Sequence, residues 1–296
     1  MIQYEGNVYR PPSEAFSLLI QATVGCSYNR CAFCALYKDD TFRIRDTREI
    51  LSELQWAREH YGYIEKIFLC DGDALCLSMD RLMEILTCCR ALFPECRSVN
   101  VYGNARDVLA KGPDDLRTLA ENGVKIIYLG AESGSDEVLK RVNKGSSAAE
   151  MEKAIRMIED AGIKASVTLI SGLGGKELME EHAVKSAELI SRSAPSFFSF
   201  LTLILTPQME LFKEKSEGRF VQLNAREVAE ETKLFFEKLE LSDKIESGSE
   251  PGQYRKIRSV FRSNHVSNAL SLRGELPGDR EKIINDIDRF LSGRAR

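Results

Sequence analysis

Three cysteines stand close together near the start of the chain, in Gly25-Cys26-Ser27-Tyr28-Asn29-Arg30-Cys31-Ala32-Phe33-Cys34. Four residues separate the first two thiols and two separate the last two. A loop this tight can aim three thiolates at one centre, and soft thiolates select iron–sulfur clusters or zinc. Structural zinc takes four ligands. No fourth Cys or His lies nearby in sequence, so Cys70 or His265 would have to arrive through the fold. Three ligands leave one metal position open, which suits chemistry better than scaffolding. The bland alternative is three unrelated buried thiols.

Further polar and glycine-rich segments follow. Leu69-Cys70-Asp71-Gly72-Asp73-Ala74 carries two carboxylates on an Asp-Gly turn, itself a common way to end a strand. Leu129-Gly130-Ala131-Glu132-Ser133-Gly134 offers a carboxylate able to accept from two hydroxyls. Lys144 can pair with a carboxylate or serve as a solvated charge at a helix end. Ile170-Ser171-Gly172-Leu173-Gly174-Gly175 lacks the ending of a phosphate loop and the dinucleotide glycine pattern, and reads as a tight strand–helix turn. Asn104 is a weaker candidate. Cys70 can face a cavity or be a buried strand-end thiol. His265, within Arg262–Asn268, can act as acid, base or substrate ligand, or belong to a hydrogen-bonded turn that docks the tail. Cys88, Cys89 and Cys96 show no ligand-like spacing, so no second cluster is expected.

The elements that must position these residues alternate along the chain. Apolar runs at Ser17–Val24, Lys66–Cys70, Ser98–Gly103, Lys125–Gly130, Ala165–Ser171 and Phe197–Leu205 predict strands. Helical spacing marks Asp46–His60, Met79–Phe93, Pro113–Asn122, Ala148–Ala161 and Glu177–Ser191. This order predicts an α/β fold with a parallel sheet, as a partial (β/α)6 TIM-like barrel or an open doubly wound sheet. Ligands gather at the C-terminal strand ends in both, where the motifs fall. The expected division is a core over residues 1–207 and a C-terminal extension over 208–296. The extension holds helices at Arg226–Leu239 and Asp279–Leu291 and an exposed linker at Ser242–Gln253.

At 43% hydrophobic and 29% charged, the composition supports a soluble globular chain with ample core. A net charge of −4 without a basic block makes the electrostatic case for nucleic acid weak. The start lacks the apolar stretch of a signal peptide, and no apolar run is long enough for a membrane span. A cytoplasmic address is expected, where the eight cysteines stay reduced.

The cysteine loop, with Phe33 just before its last thiol, resembles that of the radical S-adenosylmethionine (SAM) superfamily. The family's usual spacing puts three residues between the first two cysteines, where this chain has four. The resemblance runs from about Pro11 to Pro207. The Asp71-Gly72-Asp73 turn stands where the family has Gly-Gly-Glu, with Asp71 in place of the first glycine. The segments around Glu132 and Lys144 are similar to the branch that includes anaerobic coproporphyrinogen dehydrogenase and tRNA-modifying enzymes. The Ser-Asn-His-x-Ser-Asn segment of the tail resembles a group of stand-alone radical SAM proteins.

The resemblance implies that Cys26, Cys31 and Cys34 hold a [4Fe–4S] cluster whose remaining iron takes the amino and carboxylate groups of SAM. It implies that Asp71, Gly72 and Asp73 meet the SAM ammonium, Glu132 the ribose, Lys144 the SAM carboxylate and Ile170 the adenine. Asn104 would meet ribose or substrate, and Cys70 would donate hydrogen or touch substrate. The implied activity is reductive cleavage of SAM followed by hydrogen abstraction, with oxygen sensitivity. An electron donor such as flavodoxin or ferredoxin is implied, and a small-molecule substrate is expected. No cobalamin domain, auxiliary-cluster domain or RNA-binding appendage is expected. The competing expectation is a non-catalytic zinc- or iron–sulfur-binding module that interacts with RNA.

Overall fold

In the computed structural model, residues 1–242, 244–246 and 254–293 are described. The fold is a mostly parallel α/β sheet with helices, and no closed barrel is present among the described residues. Six strands are each followed by helix: β1 (Leu18–Gln21), α1 (Thr47–His60), β2 (Lys66–Cys70), α2 (Met79–Leu92), β3 (Ser98–Gly103), α3 (Ala105–Glu121), β4 (Val124–Glu132), α4 (Asp136–Arg141), α5 (Ala148–Asp160), β5 (Lys164–Ser171), α6 (Met179–Ser193), β6 (Phe197–Thr202), α7 (Glu210–Ser216) and α8 (Ala225–Lys238). The tail adds β7 (Ser259–Ser263), β8 (Leu272–Leu276) and α9 (Arg280–Leu291).

The chain forms two compact units. The first comprises Met1–Asn29, Leu36–Leu129 and Ala161–Lys164, and the second Arg30–Ala35, Gly130–Asp160 and Ala165–Arg296. Residue 207 therefore falls within the second unit. In the first unit β1, β2, β3 and β4 pair in that order, all parallel. Their apolar faces are covered by helix residues such as Ile50, Leu54, Leu82, Ile85 and Leu86, which are fully buried. Phe68, Cys70 and Tyr128 form an apolar cluster between the strands. Glu14, buried on the N-terminal segment, accepts from Asn100 Nδ2 at 2.9 Å and from the Tyr128 hydroxyl.

In the second unit β5 pairs with β6 and β6 with β7, both parallel, and β8 closes the edge antiparallel to β7. Phe198, Phe200, Phe235, Phe236 and Phe261 bring β6, α8 and β7 together through rings 4.8–6.3 Å apart, a large apolar payload with edge-on geometry. Asn224 and Glu227 make a reciprocal capping box that fixes the start of α8.

Three details depart from the sequence pattern. The helix expected from Pro113 begins at Ala105, capped by Asn104, and is interrupted at Gly112, whose φ of 74° only glycine takes freely. Strands β7 and β8 have no counterpart among the six expected strands. Of the expected linker Ser242–Gln253, residues 243 and 247–253 lie outside the described residues. Lys244–Glu246 is a strand paired antiparallel with Tyr254–Lys256.

Candidate functional site

The first unit brings Cys26 and the Asp71–Asp73 turn together. A Cβ at Gly72 would stand 3.0 Å from Cys26 Cβ, 3.1 Å from its Cα and 2.7 Å from the Tyr37 ring. The acidic turn therefore lies against the cysteine loop at a distance only glycine allows. Asp71 fixes the start of that loop: its Oδ2 accepts from Gly25 N at 3.0 Å and from Gln21 Nε2 at 3.3 Å. Tyr37 also hydrogen-bonds this carboxyl. Gly72→Ala is expected to push Cys26 out of place and at least halve the iron retained after anaerobic reconstitution. Wild-type iron content in that variant would refute the close fit.

Asp73 is fully buried. Its Oδ2 accepts from Asn104 Nδ2 at 2.6 Å and from the Ser27 hydroxyl, while its Oδ1 has no donor. The Asp107 carboxyl lies beside it, and Asp107 Oδ2 is likewise buried and reached by no N–H donor, with Arg106 Nη2 3.7 Å off. Burial first, then the Asp107 charge, holds the Asp73 carboxyl well above the ordinary carboxylate range. Asn104 links the two, because its Oδ1 also accepts from Asp107 N at 3.0 Å as the cap of α3. The two carboxyls also hydrogen-bond each other, so a protonated Asp73 shares its proton with Asp107, and a cation that takes the place of that proton would meet two buried carboxyl oxygens.

Cys70 ends β2 with its thiol sealed among aromatic rings, and burial pushes its pKa up. It is therefore an S–H group, not a thiolate.

The second unit holds Cys31, Phe33 and Cys34. Ala32 between them is anchored on both sides: its N–H donates to Val142 O at 2.9 Å, and its carbonyl accepts from Leu211 N at 3.0 Å. Phe33 and Ile170 share one buried apolar cluster with Val138, Val142, Leu173 and Phe220. Glu132 ends β4 at a φ of 66° and receives Lys144 Nζ at 2.9 Å. A side chain at Gly130 would collide with the Glu132 carboxylate. The two residues expected to meet different parts of SAM thus first meet each other.

His265 sits in a turn. Its Nδ1 accepts from Ser267 N at 3.1 Å and contacts Ser267 Oγ at 2.8 Å. Asn268 docks that turn on β6, donating to Phe200 O at 2.8 Å and accepting from Thr202 Oγ1 at 2.8 Å.

Sequence reasoning missed Asp107, Tyr37, Ser27, His182 and Glu231. Asp107, His182 and Glu231 carry no motif, and only the fold brings them to the strand ends. All eight cysteines are thiols rather than disulfides. Among the described residues no three His, Cys, Asp or Glu side chains converge as a single metal ion would need. No described helix is long and apolar enough to cross a membrane.

Residues 20–190 match the family described as the radical SAM superfamily. The chain is 23% identical over 213 residues to an anaerobic magnesium-protoporphyrin IX monomethyl ester cyclase of Synechocystis sp., covering 70% of this chain but only 40% of the cyclase. Among solved structures, the coproporphyrinogen III oxidase HemN of Escherichia coli is similar with a TM-score of 0.57 and 13% identity, over 87% of this chain and 64% of that one. Methylornithine synthase PylB is similar with a TM-score of 0.53 and 16% identity, over 95% of this chain and 83% of that one. These structural likenesses are of fold. The family match covers more than half of the sequence, and the chain belongs to the radical SAM superfamily.

Proposed function

We propose that this protein is an enzyme that cleaves SAM reductively at a [4Fe–4S] cluster and takes hydrogen from a small organic substrate, with electrons from a flavodoxin- or ferredoxin-type protein. The observation that carries the reading is the contact made by Gly72. It presses the acidic turn against Cys26, and the next residue offers a buried carboxyl oxygen with no donor. A thiolate and a cation-binding corner side by side are what an iron-bound amino acid sulfonium requires.

The residues fit the family's cofactors. Cys26, Cys31 and Cys34 supply three soft ligands, each partly buried in one loop. Asp73 and Asp107 would receive the SAM ammonium. Lys144 and Glu132 would meet its carboxylate and ribose; an ammonium has three donors and a carboxylate two oxygens, so their mutual pairing exhausts neither. Ile170 and Phe33 offer an apolar face for the adenine. When bound, the cluster and SAM supply an electron and a 5′-deoxyadenosyl radical. Cys70, kept protonated by burial, is a candidate hydrogen donor, and His265 a candidate acid, base or substrate ligand.

The test is to purify the protein without oxygen, reconstitute iron and sulfide, add SAM and a strong reductant, and look for 5′-deoxyadenosine by mass spectrometry. Its appearance is the expected result. A protein with a full cluster that neither makes it nor binds SAM would sink the reading, as would one that takes up zinc and no iron.

A further inference from the structure

The glycine-rich turn after β5 and the strand end after β4 are tied together from behind, within the second unit, by two buried titratable side chains that the reading above leaves unused. His182 on α6 and Glu231 on α8 are both buried. His182 Nδ1 lies 2.8 Å from Ser133 Oγ. That oxygen already accepts from Ser135 N at 3.0 Å, so its own hydrogen is available to the imidazole. The ring also hydrogen-bonds the backbone of Ile170. One side chain therefore reaches the residue after Glu132 and the backbone of Ile170. Glu231 Oε1 accepts from Gly172 N at 2.7 Å, at a residue whose φ is 82°.

Glycines allow α6 to come this close. A Cβ at Gly134 would overlap the Lys185 carbonyl, and one at Gly174 would stand 3.2 Å from His182 Cβ. Gly134 N donates to Ser186 Oγ at 2.9 Å. The helix is thus fastened to both strand ends by backbone contacts and by the imidazole.

The interaction between the two side chains is not a salt bridge. His182 Nε2 and Glu231 Oε1 are 3.9 Å apart. Burial lowers the imidazole pKa to about 4 and raises that of the carboxyl to about 8. Each is therefore neutral near pH 7, and each acts as a hydrogen-bonding group in a dry site. Glu231 Oε2 is buried without a partner. An ionised carboxylate there would be far costlier than a neutral acid. This is reason to keep a carboxyl only if its reach to Gly172 matters.

We propose that His182 and Glu231 are positioning residues that fix the Ile170–Gly175 turn and the Glu132–Ser135 strand end as one preformed wall for the nucleoside of SAM. The inference rests on the proposed function for the identity of the ligand, and on the hydrogen bonds alone for the wall. A preformed wall spares the ordering entropy that binding would otherwise meet.

The test compares Glu231→Leu, Glu231→Asp and Glu231→Gln in the reconstituted protein under anaerobic conditions. Gln keeps an acceptor at the right reach; Asp keeps the carboxyl but withdraws it by one methylene. Hydrogen exchange by mass spectrometry reads the peptide over residues 170–175, and a SAM titration reads affinity. Glu231→Leu and Glu231→Asp are expected to exchange faster at that peptide and to bind SAM about tenfold more weakly. Glu231→Gln is expected to stay within about twofold of wild type in both. Should Glu231→Leu fail to fold, Glu231→Asp decides. Wild-type exchange and affinity in Glu231→Asp, or a Gln variant as impaired as Asp, overturns the inference. If wild type itself binds no SAM, the exchange results still judge the wall, and it is the proposed function that falls.

Discussion

Cys31→Ala protein is expected to leave reconstitution with almost no cluster and make no 5′-deoxyadenosine, whereas Asp73→Asn protein keeps its iron and loses SAM. The two changes separate two tasks that lie next to each other. Cys31 belongs to a set of three thiols, and removing one leaves too few soft ligands to hold a cluster. Asp73 touches no metal in this scheme. The Ser27 and Asn104 hydrogen bonds to its Oδ2 can pass to the amide oxygen of Asn, so the turn keeps its shape. What changes is the donorless Oδ1: an amide nitrogen there repels an ammonium instead of accepting from it. A hydrogen bond to a charged partner contributes about 1.5–3 kcal/mol, which translates to roughly a 10- to 150-fold weaker SAM affinity. Iron per chain and a SAM titration measure the two effects. An Asp73→Asn protein that sheds iron as completely as Cys31→Ala would make Asp73 a support of the loop. Unchanged SAM affinity would remove the ammonium from this corner.

The parts legible in the sequence are those whose signal is local. The six strands followed by helix lie within a few residues of their apolar runs, because each run is bounded by glycine or polar residues and buried on the sheet. The cysteine loop announces itself by spacing. Strands β7 and β8 lack an apolar run, because several of their inward positions are small or polar: Ser259 and Ser263 are buried in β7 and Gly274 in β8. The stretch Ala105–Lys111 was missed because Gly112 and Pro113 look like a helix start, and here they interrupt one. The site residues that escaped notice depend on distant partners. Gly172 and Glu231 are 59 residues apart. On α8 Glu231 is written in the same letters as Glu227 and Glu230, which face outward, and nothing local marks it as the one turned inward. The pairing of Lys144 with Glu132 is equally invisible, since nothing local in either segment points to the other.

Glu231→Gln is expected to raise thermal stability, and to raise it more as pH increases. The ordinary pKa of a glutamate is 4.5, and burial lifts that of Glu231 to about 8. Below pH 4.5 the folded and unfolded chains both hold the proton, and the full stability is present. Between 4.5 and about 8 the unfolded chain ionises while the folded one does not, so stability falls as pH rises, by up to about 1.4 kcal/mol per pH unit. His182 works the other way. Its ordinary value is 6.5 and burial lowers it to about 4, so its contribution is present above 6.5 and is lost as pH falls toward 4. From pH 4.5 to 6.5 the two slopes oppose each other. From 6.5 to 8 only the glutamate slope remains, and wild type should lose on the order of 2 kcal/mol across that window. Gln at 231 keeps an acceptor for Gly172 N and has no proton to hold, so that fall disappears. Melting of the reconstituted proteins, run anaerobically at pH 6.5 and pH 8, reads the difference. If the two proteins melt in parallel over that window, Glu231 is ionised in the fold at those pH values.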